Sequence, residues 1–177
     1  PLLRSAKALN TQGLRVLRHL GDTEARRVVS NVGVEQEYFL MDADKFSKRP
    51  DLVQSGRALF GAMSPRNQEG SENYFGIPAR RNRDFFVELR TELWKLGISI
   101  FVNHQEVAPS QMELSPIFAL SNTANDENVL IMEVMDAVAA RHGLKCLFHE
   151  KPFAGINGSG KHANWGLNTD TGKNLFA

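Results

Sequence analysis

Leu2, Ala6, Leu9, Gly13, Val16, Leu17 and Leu20 follow one another at three- and four-residue steps, the spacing of an amphipathic helix over residues 2–20 that Gly21 would close. Gly13 in its interior is worth about 1 kcal/mol less than alanine, so either packing requires a close approach there or the helix is weaker than its pattern. The period then changes. Over residues 27–41, Val28, Val29, Val32, Val34, Tyr38, Phe39 and Leu40 predict a strand, on which Glu35 and Glu37 point to one face. A solvated edge is one explanation of that pair. The bulky neighbours favour a buried strand instead, where bare carboxylates are costly unless a cation joins them.

Residues 42–78 have little periodicity and many breakers, Pro50, Gly56, Gly61, Pro65, Gly70, Gly76 and Pro78 among them. A short helix near 52–60 and a long loop ending in Tyr74-Phe75-Gly76 are expected, and loops of such length are often functional. Asn82 or Asp84 is the expected cap of a helix with the stripe Phe85, Phe86, Leu89, Leu93 and Leu96, stopped by Gly97. The apolar run 98–102 predicts a buried strand. Glu106 and Glu113 are an odd number of residues apart and would face opposite ways on one straight strand; a bend at Pro109-Ser110 would bring both to one site from neighbouring strands. After Pro116, Asn122 would cap a helix over 123–142 with the stripe Ile131, Val134, Met135 and Val138, its methionines serving as core filler, and Gly143 would end it. Residues 144–149 return to strand. The sum is an α+β domain, a largely antiparallel sheet carrying acidic residues with helices packed behind it, with no internal repeat and no low-complexity segment.

Composition narrows the partners. A formal charge of +1 leaves no electrostatic footprint for nucleic acid or an anionic membrane, which favours small-molecule chemistry. The single cysteine, Cys146, lies in an apolar run and reads as a buried, inert thiol, in keeping with a reducing compartment. No stretch reaches the apolar length of a membrane span or signal-peptide core, so a cytoplasmic protein without membrane partners is expected. The 177 residues suit one domain or a piece of a larger one; an opening at Pro1 and a close at Asn174-Leu175-Phe176-Ala177 lead us to expect the piece.

Three stretches concentrate the chemistry: Gly33-Val34-Glu35-Gln36-Glu37-Tyr38-Phe39, the run from His104 through Glu106 to Glu113, and Asn157-Gly158-Ser159-Gly160-Lys161-His162. Glycines flanking a serine allow positive φ and close approach to a ligand, and the histidine offers a neutral nitrogen to a metal. Four glutamates and an imidazole are too many ligands for one hard cation such as Mg²⁺ but suit two ions sharing a site. In this order and with these neighbours the stretches resemble the active-site motifs of glutamine synthetase. Lys151-Pro152-Phe153-Ala154-Gly155 before the loop makes the resemblance strongest to the long, type III branch. It runs over essentially the whole chain.

That resemblance implies the amino-terminal half of a glutamine synthetase catalytic domain, with the amino-terminal domain and the rest of the catalytic domain outside residues 1–177. It implies ligation of ammonium to L-glutamate through γ-glutamyl phosphate, with ATP as co-substrate and two Mg²⁺ or Mn²⁺ ions. Carried over residue by residue, Glu37, Glu106 and Glu113 would hold the ion at the glutamate and ammonium end, and Glu35 and His162 the ion on the nucleotide phosphates. Glu106 and Tyr74 would serve catalysis at the ammonium pocket. Asn157 and Gly158 would meet substrate glutamate, and His104, Phe118 and Asn164 the nucleotide. A ring-shaped homo-oligomer, a dodecamer with sites at subunit interfaces, is implied as well. For Phe118 a core role is the alternative, for His104 a structural one, while His19, His142 and His149 match no family position and read as structural.

The chain departs from the family at Gly166, where relatives carry a serine that contacts nucleotide. The arginines that clamp glutamate and phosphate, the flap glutamate and a further metal glutamate have no match in these residues, so the chain alone is expected to be inactive. A γ-glutamyl-amine ligase and a non-catalytic relative remain rivals within the fold. Another two-metal enzyme, such as a phosphohydrolase, would be expected to supply aspartates and more histidines.

Overall fold

The computed structural model describes residues 1–64 and 66–176; Pro65, one of the breakers above, and Ala177 lie outside the described residues. In chain order the elements are α1 (Leu2–His19), β1 (Val28–Asp42), α2 (Ala43–Phe46), α3 (Pro50–Ser55), α4 (Arg80–Lys95), β2 (Ile100–Gln105), β3 (Gln111–Pro116), β4 (Ala119–Leu120), α5 (Ser121–Arg141), β5 (Leu144–Leu147) and β6 (Lys161–Thr169), with a 3₁₀ turn at Glu69–Ser71. All strand pairs of the six-stranded sheet are antiparallel.

Everything is arranged about β1. Val32 pairs with Ala119 and with Trp165, Gln36 with Leu114 and Lys161, and Phe39 with Gln111 and Leu147. Each residue has one partner per side, so β4 and β3 run along one flank of β1, and β6 and β5 along the other. The solvated-edge explanation of Glu35 and Glu37 is thereby overturned: they sit on a central strand.

Alternation along β1 separates two faces. Tyr38 and Leu40 join Met112 and Leu114 of β3, Phe85, Leu89 and Leu93 of α4, and Ile131, Met135 and Val138 of α5 in the main core, to which Cys146 also belongs. Burying side chains of this size contributes about 1.5–3 kcal/mol each. On the opposite face Phe39 packs with Leu52, Ala108, Leu147 and Ile156 in a smaller cluster, leaving Glu37 and Glu35 beyond its end. Helix α1 crosses the start of β1. Gly13 is where they touch, since a Cβ there would lie 3.1–3.2 Å from the Val28 side chain, which settles why the helix carries glycine.

Several expected boundaries move. The helix near 52–60 shrinks to α3, started by Pro50 and ended by Gly56 at φ 72°. Neither Asn82 nor Asp84 caps α4, which begins after extended Ala79; Asn82 lies inside the helix, buried, its Oδ1 without a partner among the described residues. Leu96 falls at the end of α4 and is 55% exposed instead of joining the stripe. Asn122 likewise lies within α5, whose first residue is Ser121. The run 98–102 is not a buried strand: β2 begins at Ile100, pairs only with β3 among the described residues, and turns Phe101 outward at 81% exposure. An outer strand has less of the sheet to hide its side chains. The β-hairpin at Pro109-Ser110 forms as expected, with Ser110 at φ 59° and the Glu106 amide donating to the Gln111 carbonyl at 2.8 Å.

Candidate active site

Strand register assembles the site. His104 of β2 is paired with Glu113 of β3, and Glu113 with Glu37 of β1, so three side chains form one row across three strands. Two residues back along β1, Glu35 is paired with His162 of β6. Directly paired residues share a face, and so do residues two apart on a strand. Glu35, Glu37, Glu113, His104 and His162 therefore face the same way, and the hairpin adds Glu106.

The contacts are short. His104 Nε2 lies 3.2 Å from Glu113 Oε1, and its Nδ1 lies 3.8 Å from Glu106 Oε1. Ligand atoms of His104, Glu106 and Glu113 all fall within 4.8 Å of one another, the reach of a single cation. His162 Nδ1 stands 2.7 Å from Glu35 Oε2. Among the described residues, no lysine or arginine pairs with any of the four glutamates. Burial raises the pKa of Glu113, and the charges of Glu35 and Glu106 raise it further; burial also raises Glu106, against the pull of His104. Glu106 and Glu113, which burial and neighbouring carboxylates make harder to ionise, are chemically suited to a divalent cation, which favours the ionised form.

The glycine loop closes one side. The Gly160 amide donates to Glu37 Oε2 at 2.8 Å, and the Glu37 amide donates to the Gly160 carbonyl at 3.1 Å. Gln111, 1% exposed at the start of β3, donates through Nε2 to the Gly158 carbonyl at 2.7 Å, and the Asn157 amide donates to Gln68 at 2.7 Å. Neither Gly158 nor Gly160 has positive φ, contrary to the conformational reason expected for them; Gly155, earlier in the loop, does at 79°. Gly158 is required for space. A Cβ there would stand 2.3 Å from the Glu150 carbonyl oxygen, a backbone atom that cannot swing aside. Gly158→Ala is expected to destabilise the protein by about 1–3 kcal/mol and to loosen the loop, which a thermal melt and hydrogen exchange over residues 157–160 would measure.

Tyr74 packs edge-on against His104 at 5.3 Å between ring centres, its loop tied to the end of β2 by Gln105 Nε2 donating to the Asn73 carbonyl and to the hairpin by Asn73 Nδ2 donating to the Val107 carbonyl. Phe118 is 67% exposed, so its core role is ruled out; its Cβ would meet a side chain at Gly33 at 3.6 Å, which places it on the carboxylate face. Asn164 is paired with Gly33 from the other flank. Phe118 and Asn164 thus border the end of the face nearest Glu35. At Gly166 a Cβ would meet nothing closer than 3.8 Å, so the backbone does not demand glycine there. His142 is bonded to Glu88 at 2.6 Å, and His149 Nδ1 accepts the Lys151 amide at 2.9 Å, so neither is paired with one of the four site glutamates. Two contributors escaped the sequence reading: Gln111, and Ser115, whose Oγ donates to Glu113 at 3.3 Å. No local pattern distinguishes either from an ordinary strand polar residue.

Fold and site together define an α+β domain of the kind that gathers carboxylates and imidazoles on one face of an antiparallel sheet. The sequence profile described as glutamine synthetase, catalytic domain, matches residues 14–177. Over 175 residues the chain is 50% identical to glutamine synthetase of Butyrivibrio fibrisolvens, covering 99% of this chain and 25% of that protein. To the type-3 glutamine synthetase of Dictyostelium discoideum it is 45% identical over 176 residues, covering 99% and 24%. GmaS without ligand superimposes with a TM-score of 0.65 at 28% identity, covering 84% of this chain and 32% of that one; for GmaS in complex with ADP the values are 0.61, 26%, 92% and 34%. The chain belongs to the glutamine synthetase catalytic-domain family. It spans about a quarter of the length of the curated relatives it matches. The resemblance read from the motifs is borne out, as is the α+β, largely antiparallel fold.

Proposed function

We propose that these residues form part of the catalytic domain of a cytoplasmic glutamate–ammonia ligase, a homo-oligomer of the dodecameric kind with its sites at subunit interfaces. One observation carries the reading: Glu113 and Glu37 directly paired across the sheet, with His104 on one flank, Glu35 and His162 on the other, and Glu106 closing the hairpin. Membership of the family and the absence of any helix long and apolar enough to cross a membrane, among the described residues, are consistent with it.

Glu37, Glu106 and Glu113 would hold one Mg²⁺ or Mn²⁺, and Glu35 with His162 the other. Bound there, the ions would cancel the repulsion between a glutamate carboxylate and the terminal phosphate of ATP. Asn157 and Gly158 orient the substrate glutamate, whose γ-carboxylate oxygen attacks phosphorus as ADP departs. His104 would lie near the nucleotide phosphates, and Phe118 and Asn164 would border the nucleotide. Glu106 and Tyr74 shape an electronegative pocket that draws in ammonium; once it has lost a proton, its nitrogen attacks the acyl carbon and inorganic phosphate leaves.

The test is glutamine formation and phosphate release by the complete enzyme, with ATP, L-glutamate and ammonium withheld in turn. Alanine at Glu37, Glu106 or Glu113 is expected to shift one phase of a Mn²⁺ titration, and alanine at Glu35 or His162 the other, by about tenfold or more. Phosphate release indifferent to glutamate or to ammonium would overturn the reading, and faster turnover with an alkylamine than with ammonium would move the reaction to γ-glutamyl-amine ligation.

A further inference from the structure

Lys161 lies between two site residues in sequence, Gly160 and His162, yet its side chain leaves on the other face of β6. Its ammonium donates to Gln36 Oε1 and Asn128 Oδ1 and rests 3.0 Å from Met132 Sδ, against helix α5. As a whole Lys161 is exposed, but the two amides that receive it are not: Gln36 is 3% and Asn128 6% exposed. Both are joined to one another, Asn128 Nδ2 to Gln36 Oε1 at 3.4 Å, and Gln36 Nε2 donates to the Glu37 carbonyl at 2.7 Å. One cation behind the sheet is thus bonded to the residue lying between Glu35 and Glu37, and through it to the backbone of Glu37.

On the front of the sheet the same few residues meet again. Lys161 is paired with Gln36, His162 with Glu35, and the Gly160 amide holds Glu37 Oε2. Side chains alternate along a strand, so fixing which way Lys161 points also fixes which way His162 points. The loop before β6 is anchored on the near side of that junction by Gln111, which donates to the Gly158 carbonyl and to Ser159 Oγ, and by the Ser159 amide, which donates to the Glu150 carbonyl; Lys161 is the contact on the strand side.

We propose that Lys161 is a positioning residue for the site, its ammonium clamping Gln36 and Asn128 behind the sheet so that Gly160 holds Glu37 and His162 is presented to Glu35. It touches no substrate. Its effect on cation binding rests on the ligand set proposed above, whereas its effect on the Gly160 amide does not.

The experiment compares the protein with Lys161→Met, which keeps the aliphatic stem and removes the donors, and with Asn128→Leu on α5. Two quantities are read without turnover: Mn²⁺ affinity by electron paramagnetic resonance, and amide hydrogen exchange. In both variants the Gly160 amide is expected to exchange about tenfold faster or more while the Tyr38 and Met112 amides in the core keep their rates. The Mn²⁺ phase lost in His162→Ala is expected to weaken about tenfold, and the phase lost in Glu106→Ala, which Gly160 reaches only through Glu37, to weaken several-fold less. A lower melting temperature with unchanged Gly160 exchange would make Lys161 a plain strap between sheet and helix, and would overturn the proposal. So would equal weakening of both phases. If the unsubstituted protein binds no Mn²⁺, the ligand assignment fails and Gly160 exchange alone decides for or against the clamp.

Discussion

Glu113→Gln is expected to make the metal-free protein more stable at pH 8 while lowering Mn²⁺ affinity, and any turnover that depends on it, by about a hundredfold or more. Glutamine has the shape of glutamate, and its amide oxygen can still meet His104 Nε2 and Ser115 Oγ, now 3.2 and 3.3 Å from Glu113 Oε1. What disappears is a charge that burial, Glu35 and Glu106 all oppose. Because the folded pKa is raised, the folded protein holds this proton more tightly than the unfolded chain. The carboxyl thus contributes stability in full below its ordinary pKa of 4.5, and loses it as pH rises through the raised folded value. The gain in melting temperature on substitution is accordingly largest at neutral and alkaline pH and vanishes below about pH 4. Added Mg²⁺ should reverse the order of the two proteins, since ligand at a hundred times its dissociation constant stabilises by about 2.7 kcal/mol and only the unsubstituted site retains its affinity. Melts at two pH values, with and without Mg²⁺, are sufficient. A metal-free variant that melts lower at pH 8 would contradict the account of a cluster held together at a cost to the fold.

The same trade between function and stability explains which parts of the chain could be read in advance. Helices α4 and α5 bury one face in a single large core, so their apolar residues fall at the helical period and announce it; β1, whose end is buried on both faces, is announced by its β-branched and aromatic residues. Strand β6 has no such face. His162 and Asn164 look toward the carboxylates, Lys161 toward α5, and Trp165 is 63% exposed, so no alternation of apolar and polar residues marks the strand. Helix starts misled for another reason. Both α4 and α5 begin without a side-chain cap, after extended Ala79 and Leu120, so the nearest asparagine was the wrong guide.

The glutamates were legible because their surroundings were inconsistent with an ordinary strand: two carboxylates among valines and aromatics on β1, and two more either side of a proline bend. What joins them was not. Pairing of Glu37 with Glu113 and of Glu35 with His162 depends on register between distant segments, and the Lys161 contact with Gln36 spans 125 residues. Phe118 shows the limit of composition. An aromatic residue belongs more often to a core than to a surface, and this one lies open beside Gly33 on the carboxylate face.

The 177-residue polypeptide, produced by itself, is expected to bind Mn²⁺ or Mg²⁺ weakly and to release no glutamine. Phosphoryl transfer is accelerated by positive groups held where charge moves in the transition state, and each such group can be worth about 10²–10⁵ in rate. On this site the described residues set only imidazoles, His104 and His162, against the glutamates; the nearest lysine in sequence, Lys161, is committed to the far side of the sheet. The proposed nucleotide-side ion would have Glu35 and His162 as its protein ligands, too few to fix a cation that favours six oxygens at short range. Relatives about four times as long have room for the missing groups, in keeping with the quarter of their length that aligns here. A colorimetric γ-glutamyl transfer assay, run with nucleotide, metal and amine varied and with Glu113→Ala as the blank, provides the check. Turnover above that blank would mean that imidazoles and carboxylates suffice, and the proposed need for further cationic groups would be wrong.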